Sequence, residues 1–317
     1  MAEQSCLPAP SEKPCEDWND LLRELARFPA EPVYHDDLGQ PTSETWIFRG
    51  HTNSEWNLEP SAERGPYSTY RDEHESAYLR AFRAKAHLYI PSVPLPAPDD
   101  DWNWLALMQH LGVPTRLLDF TYSQYVAAYF AVCEDLPKRD AKCAQSKETP
   151  RFAEIIALNW TVLEEKLESV YRALPSVPKA GMRPAPPPNY SSKARSPAQF
   201  RNLPTEERDS AAGDRRLIEE RGYVFPFLPS TENMRLSQQQ GLFLVNGARG
   251  CSFVESLLRM ADSAPPRQGL RRIRIPEAIR EEVRRHLFRM NIHELTLFPD
   301  GKGLSGFLVQ RLRLFNQ

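Results

Sequence analysis

The chain has 317 residues, 41% of them hydrophobic and 26% charged, the profile of a globular protein of one large domain or two ordinary ones. Its 40 basic and 42 acidic side chains leave a net charge of −2, so no global field draws in nucleic acid and any such binding needs a local patch. No run nears the ~20 apolar residues of a membrane helix, the N-terminus lacks the basic-then-apolar order of a secretory signal, and Cys6, Cys15, Cys133, Cys143 and Cys251 form neither a zinc spacing nor a disulfide framework. A cytoplasmic protein without membrane contact is expected.

Residues 1–14 read as a disordered polar tail, and 15–317 as one domain. Trp18, Leu21, Leu22, Leu25 and Phe28 recur at helical spacing. Trp46 to Phe48 form a short strand closed by Arg49-Gly50. Leu79, Phe82, Ala86 and Tyr89 predict a helix over 72–90 that stops at the prolines from Pro91 to Pro98. Asp99 to Asp101 supply N-cap and first-turn charge to a helix from Trp102 to Leu111, with Gly112 as its stop. Thr115 to Phe120 read as a strand, and Thr121 or Ser123 caps the helix that holds Val126, Ala127, Phe130 and Ala131. Ile155 to Leu158 are strand-like, and 161–172 helical. The stretch at about 173–213 is proline-rich and reads as an insertion, because long structureless loops within a domain are uncommon. Strand-like runs follow at Tyr223–Leu228, Gly241–Val245 and Arg271–Ile275, and a helix at 277–290. Strands and helices without regular alternation predict an α+β fold, a single mixed sheet with flanking helices.

Chemistry concentrates in three segments. The first is Trp46-Ile47-Phe48-Arg49-Gly50-His51, with Trp56, Leu58, Pro60, Ser61 and Arg64 after it. The second runs from Gln109-His110 through Gly112, Pro114-Thr115-Arg116-Leu117-Leu118-Asp119-Phe120-Thr121 to Phe130-Ala131. The third is Arg235 followed by Gln238-Gln239-Gln240-Gly241-Leu242-Phe243. An Arg at a strand end among apolar residues needs an anion, either a ligand or an internal carboxylate such as Asp119. Arg116 and Asp119, three apart on a strand, face opposite sides; Asp119, just before the strand-to-helix turn, either points into a site or caps the helix. His110 either serves catalysis or bonds a nearby carbonyl. The seven histidines show no metal-ligand pair, and no Gly-rich phosphate loop of the P-loop or Rossmann type appears.

These segments resemble the FRG domain family, named for the triplet seen here as Phe48-Arg49-Gly50. Also matching, in order, are Trp56-x-Leu58-x-Pro60-Ser61, the Gln109 to Thr121 block, the Ala127 to Ala131 helix, the Arg235 to Phe243 element and Leu297-Phe298-Pro299-Asp300 with Gly303. The resemblance spans about residues 40–310. It implies a setting in bacterial stress or phage defence, as a toxin-like effector. The layout is also similar to ADP-ribosyltransferases of the Arg–Ser–Glu type. That similarity implies an ADP-ribosyltransferase-like fold that binds NAD or a related nucleotide, with Arg49 on the diphosphate and Thr121 and Ser123 near the nicotinamide ribose. It also implies that Phe48, Gly50, His110, Arg116 and Arg235 surround the cofactor. Where those enzymes carry a catalytic Glu before a strand, this sequence has Gln238, Gln239 and Gln240; Gln238, Asp119 or Glu73 is expected to take its place. The competing expectation is a non-catalytic module for a protein or nucleic acid. Eight Arg between Arg267 and Arg289 form its basic patch, against the alternative of a solvated, salt-bridged helix face.

Overall fold

The structure, a computed structural model, describes residues 7, 13–29, 45–67, 72–90, 95–98, 100–135, 151–163, 224–229, 234–246, 252–261 and 269–315. Most of the expected tail, the proline-rich stretch 173–213 and Cys6, Cys143 and Cys251 lie outside the described residues. Six strands, β1 (Trp46–His51), β2 (Leu117–Thr121), β3 (Phe152–Asn159), β4 (Val224–Phe227), β5 (Gly241–Asn246) and β6 (Leu270–Pro276), form one sheet in the order β4-β5-β2-β1-β3-β6. Every pairing is antiparallel, which corrects the expected mixed sheet. The reason lies in the connections. The helical crossover from β2 to β3 joins strands that flank β1 instead of touching, so the parallel alignment it creates is never side by side.

Nine helices lie wholly within the described residues: α1 (Trp18–Leu25), α2 (Asp72–Tyr89), α3 (Asp101–His110), α4 (Gln124–Val132), α5 (Met234–Gln238), α6 (Phe253–Ala261), α7 (Arg280–Arg289), α8 (Glu294–Leu297) and α9 (Gly301–Phe315); residues 160–163 are helical too, and the rest of the helix expected at 161–172 lies outside the described residues. The first four and α7 follow the apolar spacing read above; α5, α6, α8 and α9 were not anticipated. Caps set several boundaries. Asp17, Asp100 and Ser123 accept from backbone N–H groups in the first turns of α1, α3 and α4, and Gly112, at φ +85°, ends the α3 segment in the left-handed region. The predicted helix at 277–290 opens as a 3-10 turn, Glu277–Ile279, before α7 begins.

Strand alternation divides the apolar residues between two faces. On one face Phe48, Ile155, Ala157 and Ile273 meet Leu21, Leu25, Ala127, Val283 and Leu287 of α1, α4 and α7. On the same face, further along, Leu117, Phe243 and Val245 meet Leu79 of α2 and Trp104, Leu105 and Met108 of α3. On the opposite face Ile47, Ile156, Leu118, Phe120, Leu242 and Leu244 meet Phe253 and Leu257 of α6, with Leu7 among them.

The two halves of the sheet are joined thinly. β1 shares six register pairs with β3 but one, Phe48 opposite Thr121, with β2. Beside that joint α4 crosses β1 at close range. A Cβ on Gly50 would lie 2.1 Å from the Ala127 carbonyl oxygen and 2.5 Å from the Ala131 nitrogen, so no larger residue fits. The Gly of the Phe-Arg-Gly triplet and the alanines of the following helix are thus two sides of one contact. That contact fixes Arg49 at the fork.

Candidate functional site

Where β1 and β2 part, a cleft of about 750 Å³ opens, lined by residues of both strands, the segment after β1, the end of α4 and the approach to β5. Arg49 is set into it with 15% of its side chain exposed. Its Nε donates to His51 Nε2 at 3.1 Å and its Nη1 to the backbone carbonyl of Asp119 at 2.6 Å. The second bond spans the fork, so a side chain joins β1 to β2 where the ladder is left off. Both acceptors are neutral. The Asp119 carboxylate stands 3.9 Å from Nη1 and is 63% exposed. Burial pulls the guanidinium down to about 10, against the attraction of Asp119 and with the repulsion of Arg64, so it stays charged at neutral pH. Among the described residues no hydrogen bond to Nη2 is formed.

His51 is buried and held neutral, its pKa pulled down to about 3 by burial first and then by Arg49, Arg64 and Arg272. Since Nε2 accepts from Arg49, the ring proton sits on Nδ1. The His51 and Trp56 rings meet edge-on at 6.2 Å.

The Gln109 to Thr121 block sets the orientation of Asp119. Gln109 Nε2 donates to Asp119 Oδ2 at 3.0 Å while its Oε1 accepts from the Thr115 hydroxyl. Thr115 in turn is tied to Ser61, whose Oγ accepts from the Thr115 N–H at 3.0 Å. The Trp-x-Leu-x-Pro-Ser segment, the Gln-His block and the Arg49 strand therefore form one network ending at the cleft. Thr121 lines the cleft but is occupied, its Oγ1 donating to the Gln239 carbonyl at 2.7 Å and accepting from the Ser123 N–H at 3.0 Å. Arg235 lies over the Phe298 ring at 4.6 Å. Arg64 is exposed, its Nε on the Glu59 carbonyl at 2.8 Å.

Of the residues expected at the site, Phe48, Arg49, Gly50, Asp119, Thr121 and Arg235 line this cleft. Four do not. Arg116 is spent on Glu75, 2.8 Å from Nε and 2.6 Å from Nη2. His110 is exposed at the end of α3, Ser123 caps α4, and Gln238 is exposed on α5. Gln239 lines the cleft instead, at the position the Arg-x-x-x-Gln-x-Gly spacing marks, with its Nε2 on the Leu297 carbonyl at 3.0 Å. Nothing is described of the Glu73 side chain. The lining also holds His51, Trp56 and Arg64, which stand in the sequence as positions of the first chemistry-bearing segment, and Glu55, Glu59, Cys133 and Glu134, which no motif marks. Burial lifts the Cys133 thiol to about 12, which leaves it no thiolate for nucleophilic chemistry near neutrality.

The basic segment is mostly consumed inside the fold. Arg272 pairs with buried Glu154, Arg280 donates to the Thr52 and Glu134 carbonyls, and Arg284 binds the Val132 and Glu134 carbonyls and Asp135. Arg271 and Arg274 lie over Phe28 and Phe152, and Arg285 stands 3.8 Å from Glu281. Arg289 is exposed, and Arg267 lies outside the described residues. No helix among the described residues is long and apolar enough to cross a membrane. No curated protein and no solved structure matches the chain. The family model of the FRG domain matches residues 44–140, from the start of β1 past the end of α4, so the chain carries an FRG domain, and that domain supplies Arg49, Arg64 and Asp119 to the cleft.

Proposed function

We propose that the cleft binds NAD or a related nucleotide by its diphosphate and that the protein works as an ADP-ribosyltransferase-like effector. The observation that carries this reading is the state of Arg49. It is a nearly buried guanidinium fixed by two neutral acceptors, and among the described residues one edge is unbonded and no buried acid neutralises it. Such a group is costly without an anion, and its planar fork suits phosphate oxygens. Arg235 and Arg64 add positive charge to the same cleft. The three segments that the resemblance to ADP-ribosyltransferases picks out lie on adjacent strands β1, β2 and β5, which supports the reading. The resemblance to FRG domains is what supports a place in bacterial stress or phage defence.

Transfer chemistry needs a negative charge beside the ribose as positive charge develops there. Gln239 offers an amide oxygen for a ribose hydroxyl but no charge. Asp119 offers the charge, oriented by Gln109 and close to Arg49, and we assign it that role. NAD, when bound, supplies the cleavable bond to nicotinamide; Arg49 holds the diphosphate and Asp119 stabilises the cation. In calorimetric titrations NAD and ADP-ribose bind the wild type, and Arg49→Ala weakens both at least about 100-fold, the loss of a charged phosphate contact. Asp119→Asn keeps binding but stops nicotinamide release. An unchanged affinity in Arg49→Ala sinks the reading. Binding without nicotinamide release in the wild type leaves the second one, a module that recognises a nucleotide without chemistry, which Gln239 in place of a carboxylate favours.

A further inference from the structure

Of the four aromatic side chains that line the cleft, Phe48, Trp56, Phe120 and Phe130, Phe48 and Phe120 are buried in the core, Phe130 is half-buried, and Trp56 is exposed. Trp56 is 42% exposed and lines the cleft, although its neighbours Leu58 and Pro60 in the same motif are buried. Packing does not require an indole there, since a residue so open contributes little to the core. What it touches is His51, at 6.2 Å between rings, and His51 is bonded to Arg49. The guanidinium and the indole are therefore separated by one imidazole ring, both facing the same cavity. A cation for a phosphate and an aromatic plane for a base, held at that separation, are the two ends of a nucleotide.

The charge of the cleft narrows the class further. Among the described residues its lining holds three guanidiniums, Arg49, Arg64 and Arg235, against four carboxylates, including Glu55 and Glu59 on either side of Trp56. A strongly anionic guest meets the repulsion of these carboxylates.

We infer that Trp56 is the stacking platform for the ligand's base, and that the cleft selects a weakly charged dinucleotide over free pyrophosphate or a nucleoside triphosphate. This rests on the reading of Arg49 above and adds the base-recognition residue and the ligand class. Stacking of a base on an aromatic side chain suits any π-face, so affinity comes from the plane and selectivity from charge. Indole is the best ring for the purpose, and phenylalanine retains part of the effect.

The test is a set of titrations of the full chain and its Trp56→Phe, Trp56→Ala and Arg49→Ala variants with NAD, ADP-ribose, ATP, ribose 5-phosphate and pyrophosphate, with melting curves for each protein. The expected result is that Trp56→Ala weakens NAD and ADP-ribose by roughly 5- to 150-fold. Trp56→Phe recovers part of this, ribose 5-phosphate and pyrophosphate bind the wild type and Trp56→Ala alike, and ATP binds more weakly than ADP-ribose. Equal affinity of wild type and Trp56→Ala for NAD, with Arg49→Ala defective, overturns the platform while leaving the proposed function standing. Equal weakening of all five ligands in Trp56→Ala overturns it too, as does ATP binding as tightly as ADP-ribose for the charge selection. Wild type that binds neither NAD nor ADP-ribose removes both readings together.

Discussion

Arg49 of β1 and Arg272 of β6 occupy one cross-strand row, on either side of Ile156 of β3. Their side chains are almost equally buried, at 15% and 11% exposed. Their partners differ. Arg272 donates Nε to Glu154 Oε2 at 2.7 Å and sets Nη2 at 2.6 Å from the same oxygen, and Glu154 is fully buried; its Nη2 also reaches the Ser54 carbonyl at 3.0 Å. Arg49 has a carbonyl, a neutral imidazole and an exposed carboxylate at 3.9 Å. Burial alone does not separate a fold residue from a ligand residue; compensation of the charge does. Among the described residues one arginine is answered by a buried carboxylate, and the other keeps an edge without a hydrogen bond.

The largest effect expected from this contrast is on stability. Arg272→Ala leaves Glu154 buried without its main partner and lowers unfolding free energy by about 3–5 kcal/mol. Urea denaturation at neutral pH measures it. The deficit shrinks in acid, because burial already raises the Glu154 carboxyl against the pull of Arg272, and a protonated Glu154 needs no cation. Arg49→Ala is milder, about 1–2 kcal/mol, since it strands only the Asp119 carbonyl and the His51 nitrogen. If the two variants prove equally unstable, Arg49 belongs to the fold and the contrast dissolves.

How much of this was legible in the sequence follows the same division. The apolar spacing of α2, α3 and α4, the caps of Asp100 and Ser123, and the strand ending in Arg49 depend on local order, and each stands where that order puts it. Arg235 to Gly241 was legible as a motif, yet among three adjacent glutamines local pattern does not say which one faces the cleft. The backbone does: Gln240 takes φ +46° and turns the chain into β5, leaving Gln239 toward the cleft and Gln238 outside. The basic run from Arg271 to Arg285 looked like a patch because its partners, Glu24, Glu154, Asp135 and the carbonyls at the end of α4, lie far away in sequence. The helix α9 went unseen for a different reason. Gly301, Gly303 and Gly306 carry low helix propensity, but a Cβ on Gly303 would lie 1.8 Å from the Phe298 carbonyl oxygen, so the glycine serves a close approach and Asp300 Oδ1, accepting from the Gly303 N–H at 2.7 Å, starts the helix.

The smallest expected effect sharpens the contrast from the acidic side. Glu63 is the carboxylate counterpart of Arg49, half-buried and held by neutral donors: the Phe253 N–H at 3.4 Å and the Asn246 side chain. Burial, with Glu59 adding repulsion, outweighs those donors and Arg116 and pushes it from its ordinary 4.5 up to about 7. The folded state therefore keeps a proton that the unfolded chain gives up. Stability from this group is complete below about pH 4.5, declines as pH rises toward 7 and stays lost above it. Glu63→Gln keeps a hydrogen-bonding oxygen for Phe253 and cannot ionise. Its unfolding free energy should match the wild type at pH 4 and exceed it at pH 8 by on the order of 1 kcal/mol, allowing for partial exposure. Denaturant melts at the two pH values measure the difference. A gap of the opposite sign at pH 8 would mean that Arg116 compensates Glu63 as fully as Glu154 compensates Arg272.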